Sequence, residues 1–321
     1  MSTGYRPIFD PDRTGVATRT RVPRHRADTV PESGYVYDVE GRIAFAVNVA
    51  IVTGRPLLIR GKPGTGKTSL AADVAERMNW QYYEHVTTSR TRAADLLWSF
   101  DAVRRLSDAS GGGAGDPLDY VVPGPLWWGL APAKAASRGL TSAQLAERGL
   151  DPVPDPSPRT GKDAVVLIDE IDKADPDVPN DLLLPLGALR FPVTDVGGPP
   201  LPVDAERSPL VMITTNEERD LAPAFLRRCV VLRLPHPLDD RLASIAAAHF
   251  GAKATPALIK KVLKAYHAIR ETRGESGHEP NPAEFLDAVA AAISLQVRDS
   301  GGQRWDQLME FALRKPPLEP A

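Results

Sequence analysis

The sequence has one cysteine, no long apolar run and almost no net charge, and each of these features excludes a class of protein. Cys229 has no second cysteine to pair with, so an internal disulfide is excluded and we expect a cytoplasmic protein. No apolar run approaches about 18 residues and no apolar signal segment stands at the N-terminus, so we expect no membrane partner. The charges nearly cancel, with 39 Lys+Arg against 41 Asp+Glu, which argues against nucleic acid as a partner.

The usual motifs of metal-dependent and serine hydrolases are also missing. The six histidines and the cysteine do not have the spacing of a zinc site, and no G-x-S-x-G nucleophile elbow is present. Any catalytic chemistry must therefore come from other residues.

Short apolar runs rich in β-branched residues alternate with helical patterns up to about residue 235. This alternation is typical of βαβ units and predicts an α/β fold with a mainly parallel sheet and helices on both faces. The predicted strands are residues 56–60, 82–86, 164–168, 210–215 and 229–232.

Composition divides the chain into further segments. Residues 1–33 hold six arginines and few large apolar side chains, so we predict a flexible tail there. Residues 34–235 form the predicted αβ domain, with an insertion at about 107–162, where glycine- and proline-rich stretches occur. Alanine-rich helical patterns fill residues 236–315 and predict a small all-helical domain.

Residues 61–68 read Gly-Lys-Pro-Gly-Thr-Gly-Lys-Thr and match the phosphate-loop (Walker A) pattern G-x-x-x-x-G-K-[ST] at every fixed position. The loop follows an apolar strand and opens a helix, which is the context that the motif requires. Backbone amides would hold phosphate oxygens, Lys67 would add positive charge at the β- and γ-phosphates, and the Thr68 hydroxyl would bind Mg²⁺. The predicted nucleotide contacts are Gly61, Pro63, Gly64, Thr65, Gly66, Lys67, Thr68 and Ser69.

Two acids end the third predicted strand, at the edge where open α/β sheets bind ligands. Asp169 is expected to hold Mg²⁺ through water, and Glu170 to orient or deprotonate an attacking water. Asn216 follows the next strand and is a candidate to hold that water against the γ-phosphate. Asp172 and Asp175 resemble the guanine-reading motif of GTPases, but they follow the acid pair directly, so we interpret them as the charged start of a helix.

Arg227 and Arg228 stand just before the last predicted strand. An arginine that reaches the γ-phosphate of a neighbouring subunit raises the rate of phosphoryl transfer by about 10³–10⁵-fold. The pair is therefore a candidate for such an arginine finger.

The order of these motifs resembles that of an AAA+ ATPase, and more narrowly that of its MoxR-type branch. The likeness covers about residues 35–300, and the MoxR likeness rests on residues 55–68, 123–126 and 182–203. It implies a P-loop core with a five-stranded parallel sheet in the order 5-1-4-3-2, followed by a helical lid domain. It also implies a β-hairpin at about 190–204, inserted into the second core helix.

The same resemblance implies roles for single residues. Asn216 would be the sensor-1 residue, and Arg228 the arginine finger acting in trans, with Arg227 as a second candidate. Val36 and Tyr37 would lie near the adenine of the nucleotide.

One position departs from the family pattern. Ala283 stands where a sensor-2 arginine is usual, so contact between the lid and the γ-phosphate is either absent or made by another arginine.

The resemblance implies a Mg-ATP hydrolase that forms a homo-oligomer, a ring of six by analogy, and remodels a protein client or a von Willebrand A-domain protein as a chaperone. One alternative is a nucleic-acid-associated ATPase similar to clamp loaders or helicase loaders, against which the neutral charge argues. The other is a nucleotide-gated scaffold with little turnover. The missing arginine at Ala283 favours that scaffold, whereas Glu170 and Asn216 argue for hydrolysis.

Overall fold

The computed structural model describes residues 7–12, 35–38, 40–113, 115–157, 159–194, 199–271, 279–297 and 302–314. These residues divide into two compact units. The first is drawn from residues 1–14, 42–59 and 74–232, and the second from residues 15–41, 60–73 and 233–321.

The described part of the chain forms nine strands, five of which make one parallel sheet. The strands are β1 Leu57–Arg60, β2 Gln81–Val86, β3 Trp98–Phe100, β4 Val121–Pro123, β5 Ala164–Asp169, β6 Arg190–Val193, β7 Leu201–Asp204, β8 Leu210–Thr215 and β9 Val230–Arg233. The sheet order is β2-β5-β8-β1-β9. Counted along the chain, this is the predicted order 5-1-4-3-2, which is confirmed.

Fourteen α-helices are formed by the described residues. They are α1 Arg42–Thr53, α2 Lys67–Arg77, α3 Ala93–Leu97, α4 Ala102–Gly111, α5 Pro125–Leu130, α6 Pro132–Ala136, α7 Ser142–Arg148, α8 Val178–Asp181, α9 Leu183–Ala188, α10 Pro223–Leu226, α11 Asp239–Phe250, α12 Pro256–Glu271, α13 Pro282–Ser294 and α14 Gln303–Leu313. Among them, none is both long and apolar enough to cross a membrane.

The core of the first unit forms around β5 and β8, which are buried along their whole length. Burial on both faces explains why these two strands read as continuous apolar runs. Helix α5 packs closely on β5, because a Cβ added to Gly129 would lie 2.3 Å from the side chain of Val166. Trp127 is fully buried on this helix, and the ring of Trp128 stacks on Tyr83 with centroids 6.3 Å apart.

The predicted insertion at 107–162 is therefore not one continuous addition to the core. Its middle part, helix α5, supplies side chains to the main hydrophobic core. Helix α4, by contrast, buries no residue. Glycine and proline between these helices mark turns, but they do not separate core from insertion.

The hairpin predicted at about 190–204 forms, with Phe191 of β6 opposite Val203 of β7. It lies between α9 and β8, after β5. The predicted insertion into the second core helix is therefore wrong, because that helix belongs to the connection from β2 to β5. That connection carries its own antiparallel pair, with Ser99 of β3 opposite Val122 of β4. Residues 195–198, between β6 and β7, lie outside the described residues.

Six residues of the predicted flexible tail, 7–12, pack on the first unit. Phe9 is fully buried, and Asn48 of α1 accepts hydrogen bonds from the N–H groups of Ile8 and Phe9 at 2.7 and 2.8 Å. Its amide donates to the carbonyl of Phe9 at 2.6 Å. The tail prediction therefore fails for this segment, since one aromatic anchor and one buried amide hold it. The remaining tail residues up to 33 lie outside the described residues.

The second unit has its own core, formed by the apolar faces of α11 to α14. Tyr266 and Phe285 meet edge to face at its centre, with ring centroids 5.6 Å apart, and Leu242 and Trp305 pack around them. The predicted boundary near 236 differs from this division in one respect. Residues 60–73, which include the phosphate loop, belong to the second unit.

Candidate functional site

The phosphate loop, residues 61–66, joins β1 to α2 and turns sharply at two glycines. Gly64 has a φ of +76° and Gly66 a φ of +86°, values that side-chain-bearing residues rarely adopt. Thr65 tightens the turn, because its hydroxyl donates to the carbonyl of Lys62 at 2.9 Å.

Lys67 is the first residue of α2, and only 6% of it is exposed. Its ammonium group donates to the carbonyls of Gly61 and Lys62, at 2.8 and 3.1 Å. These bonds keep the charge beside the loop, at the N-terminal end of a helix whose dipole favours anions.

The segment 35–37, predicted to lie near adenine, is fixed against the same loop. Tyr35 covers Gly66, where an added Cβ would lie 3.0 Å from the tyrosine ring. Asp73 of α2, fully buried, accepts the N–H of Tyr35 and the hydroxyl of Tyr37, both at 2.8 Å. Arg241 of α11 donates to the carbonyl of Val36 at 3.2 Å.

Burial of the Tyr35 side chain raises the pKa of its hydroxyl to about 12, so this group stays neutral and acts as a hydrogen-bonding group. Asp73 and Arg241 were not predicted, since neither belongs to a motif.

The acidic end of β5 lies beside β8 in the first unit. The hydroxyl of Thr214 donates to Asp169 and accepts the backbone N–H of Glu170 at 2.8 Å. Asp169 is 8% exposed. One hydroxyl therefore orients both predicted acids.

Glu170 and Asn216, predicted to act on the same water, are in direct contact. The Asn216 amide donates to Glu170 Oε1 at 2.9 Å. The other carboxylate oxygen, Oε2, accepts Lys173 Nζ at 2.5 Å. This hydrogen bond raises the pKa of Lys173. The carboxylate thus has an amide on one side and a cation on the other.

Asp172 has a different role from the charged helix start that we predicted. It is buried, with 3% exposed, and its Oδ2 accepts the backbone N–H groups of Asn216 and Glu218 at 3.1 and 3.0 Å. It therefore holds the chain at the end of β8, where Asn216 begins its contact with Glu170.

Arg227 and Arg228 are both exposed at the end of α10. Exposure is compatible with reaching a neighbouring subunit. Ala283, in the first turn of α13, lies at the phosphate loop, since its N–H is 3.0 Å from a Cβ added to Gly64. The lid helix thus starts where a sensor-2 residue is expected, but without an arginine.

In the described structure, the sequence predictions divide into two groups by unit. Gly61 to Thr68 and the 35–37 segment belong to the second unit, and Asp169, Glu170 and Asn216 to the first. Sequence reasoning missed Thr214, although a threonine two positions before Asn216 in a wholly buried strand is a signal of a polar partner.

Comparison with known proteins identifies a family for this chain. A family model for the AAA domain (dynein-related subfamily) matches residues 56–229, more than half of the chain. A search of curated protein sequences finds no significant match. A crystal structure of a protein from Cytophaga hutchinsonii, proposed to be an ATPase, is 14% identical, with 85% of this chain and 80% of that chain covered and a TM-score of 0.41. On the family match, the chain belongs to the AAA domain family, in its dynein-related subfamily.

Proposed function

We propose that this protein binds ATP with Mg²⁺ at the phosphate loop and hydrolyses the bond between the β- and γ-phosphates. The observation that carries the proposal is the contact of Glu170 with Asn216, 2.9 Å apart at the ends of neighbouring parallel strands. A carboxylate and an amide placed together can hold one water, the carboxylate taking its proton and the amide fixing its oxygen.

The topology of the sheet also supports the proposed hydrolysis of ATP. The carboxyl ends of parallel strands lie at one edge of a sheet, and β1 leads directly into the phosphate loop while β5 and β8 end in the two acids and Asn216. In the proposed complex the triphosphate occupies the loop. Lys67 then neutralises charge that develops on the phosphate oxygens.

The proposed oxygen ligands are suited to Mg²⁺ that is bound together with a nucleotide, and less suited to a metal ion whose ligands all come from the protein. Among the described residues, no group of three or more His, Cys, Asp or Glu is placed to hold a metal ion. Mg²⁺ in nucleotide sites takes one or two protein oxygens, and phosphate and water complete its shell. The Thr68 hydroxyl and the Asp169 carboxylate supply such oxygens. When bound, the ion neutralises phosphate charge.

We further propose that the chain works as a homo-oligomer of MoxR type, a hexameric ring by analogy, in the cytoplasm, and remodels a protein client such as a von Willebrand A-domain protein. The exposure of Arg227 and Arg228 supports assembly, because a finger that completes a neighbour's site must project from its own subunit.

Three variants test the hydrolysis. Lys67→Ala is expected to abolish ATP binding, and Glu170→Gln to bind ATP but lower turnover by about 10²–10⁴-fold. Glu218→Gln, an exposed acid nearby, is the matched control. Binding of wild-type strength by Lys67→Ala would contradict the loop assignment, and normal turnover in Glu170→Gln would remove the proposed base.

Assembly is tested by mixing two inactive variants. Arg228→Ala is expected to lower turnover by about 10³–10⁵-fold while ATP still binds, and mixing it with Lys67→Ala should restore part of the activity. The same mixture made with Arg227→Ala identifies which arginine is the finger. Absence of rescue in both mixtures would contradict a site shared between subunits.

A nucleotide-gated scaffold with slow turnover is the second candidate, and one observation favours it. Lys173 occupies Oε2 of Glu170 and so competes for the oxygen that would accept a proton from water. Measurement of single-turnover hydrolysis separates a slow chemical step from slow release of product.

A further inference from the structure

Residues 7–12, which we call the anchor segment, bind helix α1 of the first unit through their backbone. Asn48 of α1 accepts the N–H groups of Ile8 and Phe9, at 2.7 and 2.8 Å, and donates to the carbonyl of Phe9 at 2.6 Å. A carboxamide that pairs with both the N–H and the C=O of one residue recognises main chain, whatever the side chain is. Helix α1 therefore holds the anchor segment as a peptide-binding protein holds a peptide.

The side chain of Asn48 is suited to α1 only when the anchor segment is bound. It is 4% exposed, and the other buried residues of this helix are apolar: Ile43, Val47 and Ala50. Three of its four hydrogen bonds go to the anchor segment, and the fourth goes to the carbonyl of Ala44 within the helix. A buried amide without partners costs free energy, so this asparagine indicates a site built for a peptide backbone.

Phe9 is the side chain that anchors the segment. It is fully buried, whereas Ile8 is 49% exposed and Asp12 is exposed as well. Backbone bonds combined with one buried side chain are the usual features of a site that binds a short peptide. Because a single buried side chain orders six residues, we expect the anchor segment to open more readily than the rest of the first unit.

The anchor segment also contacts the helix that follows the phosphate loop. Arg77, in the last turn of α2, donates to the carbonyl of Pro11 at 2.7 Å. Helix α2 begins at Lys67, within the phosphate-loop motif, and is continuous to Arg77. Fixing its last turn therefore limits the tilt of its first turn, whose amides are proposed to hold phosphate.

We propose that α1 and the last turn of α2 form a peptide-binding site for the anchor segment, and that occupation of this site strengthens nucleotide binding. The effect on nucleotide rests on the proposed function, since it needs a nucleotide in the phosphate loop. Coupling between two binding sites is reciprocal, so the nucleotide must favour the bound anchor segment by the same factor. We expect a factor of about five, the lower end of the usual range.

Phe9→Asp opens the anchor segment, because an aspartate at this position would bury a charge. In a Glu170→Gln background, which should hold ATP unhydrolysed, the dissociation constant for ATP is expected to rise about five-fold. The constant for ADP should rise by the same factor, because the anchor segment acts on α2 and not on one phosphate. Ile8→Ala is the control: its side chain is half exposed and its N–H remains, so neither constant should change.

A synthetic peptide with the sequence of residues 5–14 separates loss of the anchor segment from general damage to the fold. Added to the full-length Phe9→Asp protein, it should occupy the site and restore the original dissociation constant for ATP. The same peptide with alanine in place of the phenylalanine lacks the anchor and should restore nothing. An unchanged constant in Phe9→Asp, or a raised constant that the first peptide does not lower, would overturn the proposal.

Hydrogen exchange tests the coupling in the opposite direction and needs no variant of the anchor segment. The amides of Ile8 and Phe9, which donate to Asn48, should exchange about five-fold more slowly when ATP is added to the Glu170→Gln protein. Equal rates with and without ATP would contradict the coupling. If Phe9→Asp does not fold, as judged by circular dichroism, this measurement decides.

Lys67→Ala distinguishes failure of this proposal from failure of the proposed function. If Lys67→Ala still binds ATP normally, no triphosphate sits in the loop and the proposed function fails. If Lys67→Ala abolishes binding while the amides of the anchor segment exchange equally with and without ATP in Glu170→Gln, only the role of the anchor segment fails.

Discussion

Asp172 is expected to couple the stability of the first unit to its catalysis. Its Oδ2 accepts two backbone N–H groups, from Asn216 at 3.1 Å and Glu218 at 3.0 Å. Asp172→Ala leaves both groups without this acceptor at the end of β8. The variant should therefore unfold more easily and place Asn216 less accurately against Glu170.

The size of the effect follows from the bonds that are lost. Hydrogen bonds to a charged group contribute about 1.5–3 kcal/mol each, so the two together contribute about 3–6 kcal/mol. The other carboxylate oxygen, Asp172 Oδ1, is buried and has no hydrogen-bond partner within the described residues. Its removal relieves a desolvation cost of about 1–3 kcal/mol, which opposes the loss. We expect a net destabilisation of about 2–4 kcal/mol.

Asp172→Asn is the informative partner of this variant. Its amide keeps one carbonyl oxygen that can still accept both N–H groups, so the free energy of unfolding should fall by less than about 1.5 kcal/mol. Turnover should fall about 10²-fold in Asp172→Ala, because a displacement of about 1 Å at the reacting water has that effect. The affinity for ATP should stay unchanged.

Urea unfolding followed by tryptophan fluorescence measures this stability. Four of the five tryptophans, at 80, 98, 127 and 128, lie in the first unit, so the signal reports mainly on it. Asp220→Ala, an exposed acid close by in the chain, is the control. Asp172→Ala within about 0.5 kcal/mol of the wild type, or with full turnover, would refute the reasoning.

Three further predictions concern ion pairs and close backbone contacts. Lys173→Ala should raise turnover by up to about five-fold, because an exposed ion pair with Glu170 contributes about 0.2–1 kcal/mol. Steady-state hydrolysis measures this change. A fall in turnover would mean that Lys173 assists Glu170. Gly161→Ala should destabilise the protein by about 3 kcal/mol, because the added Cβ would lie 1.9 Å from the backbone oxygen of Asn79. Gly187→Ala is the control, since a Cβ added there has no atom within 4 Å, and it should not destabilise the protein. Equal melting temperatures for the two variants would contradict this packing. Hydrogen bonds from Lys62 and Arg270 lower the pKa of Glu279 to about 2, so its stabilisation is complete above about pH 4.5 and lost as pH falls toward about 2. The stability difference between wild type and Glu279→Gln in urea should shrink from about pH 5 to pH 3, and a constant difference would argue against the ion pairs.

The fold was largely predictable because the sheet strands carry continuous apolar runs. Leu210–Thr215 forms the strand as predicted, and Val230–Arg233 is shifted by one residue. Buried parallel strands give this signal because both of their faces meet helices. The 107–162 segment gave no such signal, since α5 begins at Pro125 after a glycine and is too short for a helical period.

The site was predictable only in part, because sequence shows residue types at strand ends but not their partners. Partners depend on the register between strands. Ile168 of β5 lies opposite Ile213 of β8, so the next residues, Asp169 and Thr214, become neighbours. A register shifted by one residue toward the start of β8 would place Asp169 opposite Ile213, an apolar side chain. No pattern within either strand specifies this alignment.

The backbone conformation of Glu170 positions two acidic side chains, those of Glu170 and Asp172. Its φ and ψ of +56° and 49° are left-handed, a conformation that costs a residue with a side chain about 1 kcal/mol or more. Glycine would adopt it more easily, but glycine has no carboxylate. The turn leads directly into the short 3₁₀ helix Ile171–Lys173, which brings Asp172 to the end of β8 and Lys173 to Glu170. Such strain persists where the surroundings fix it, and here Thr214 bonds the N–H of Glu170 while Asn216 bonds its carboxylate.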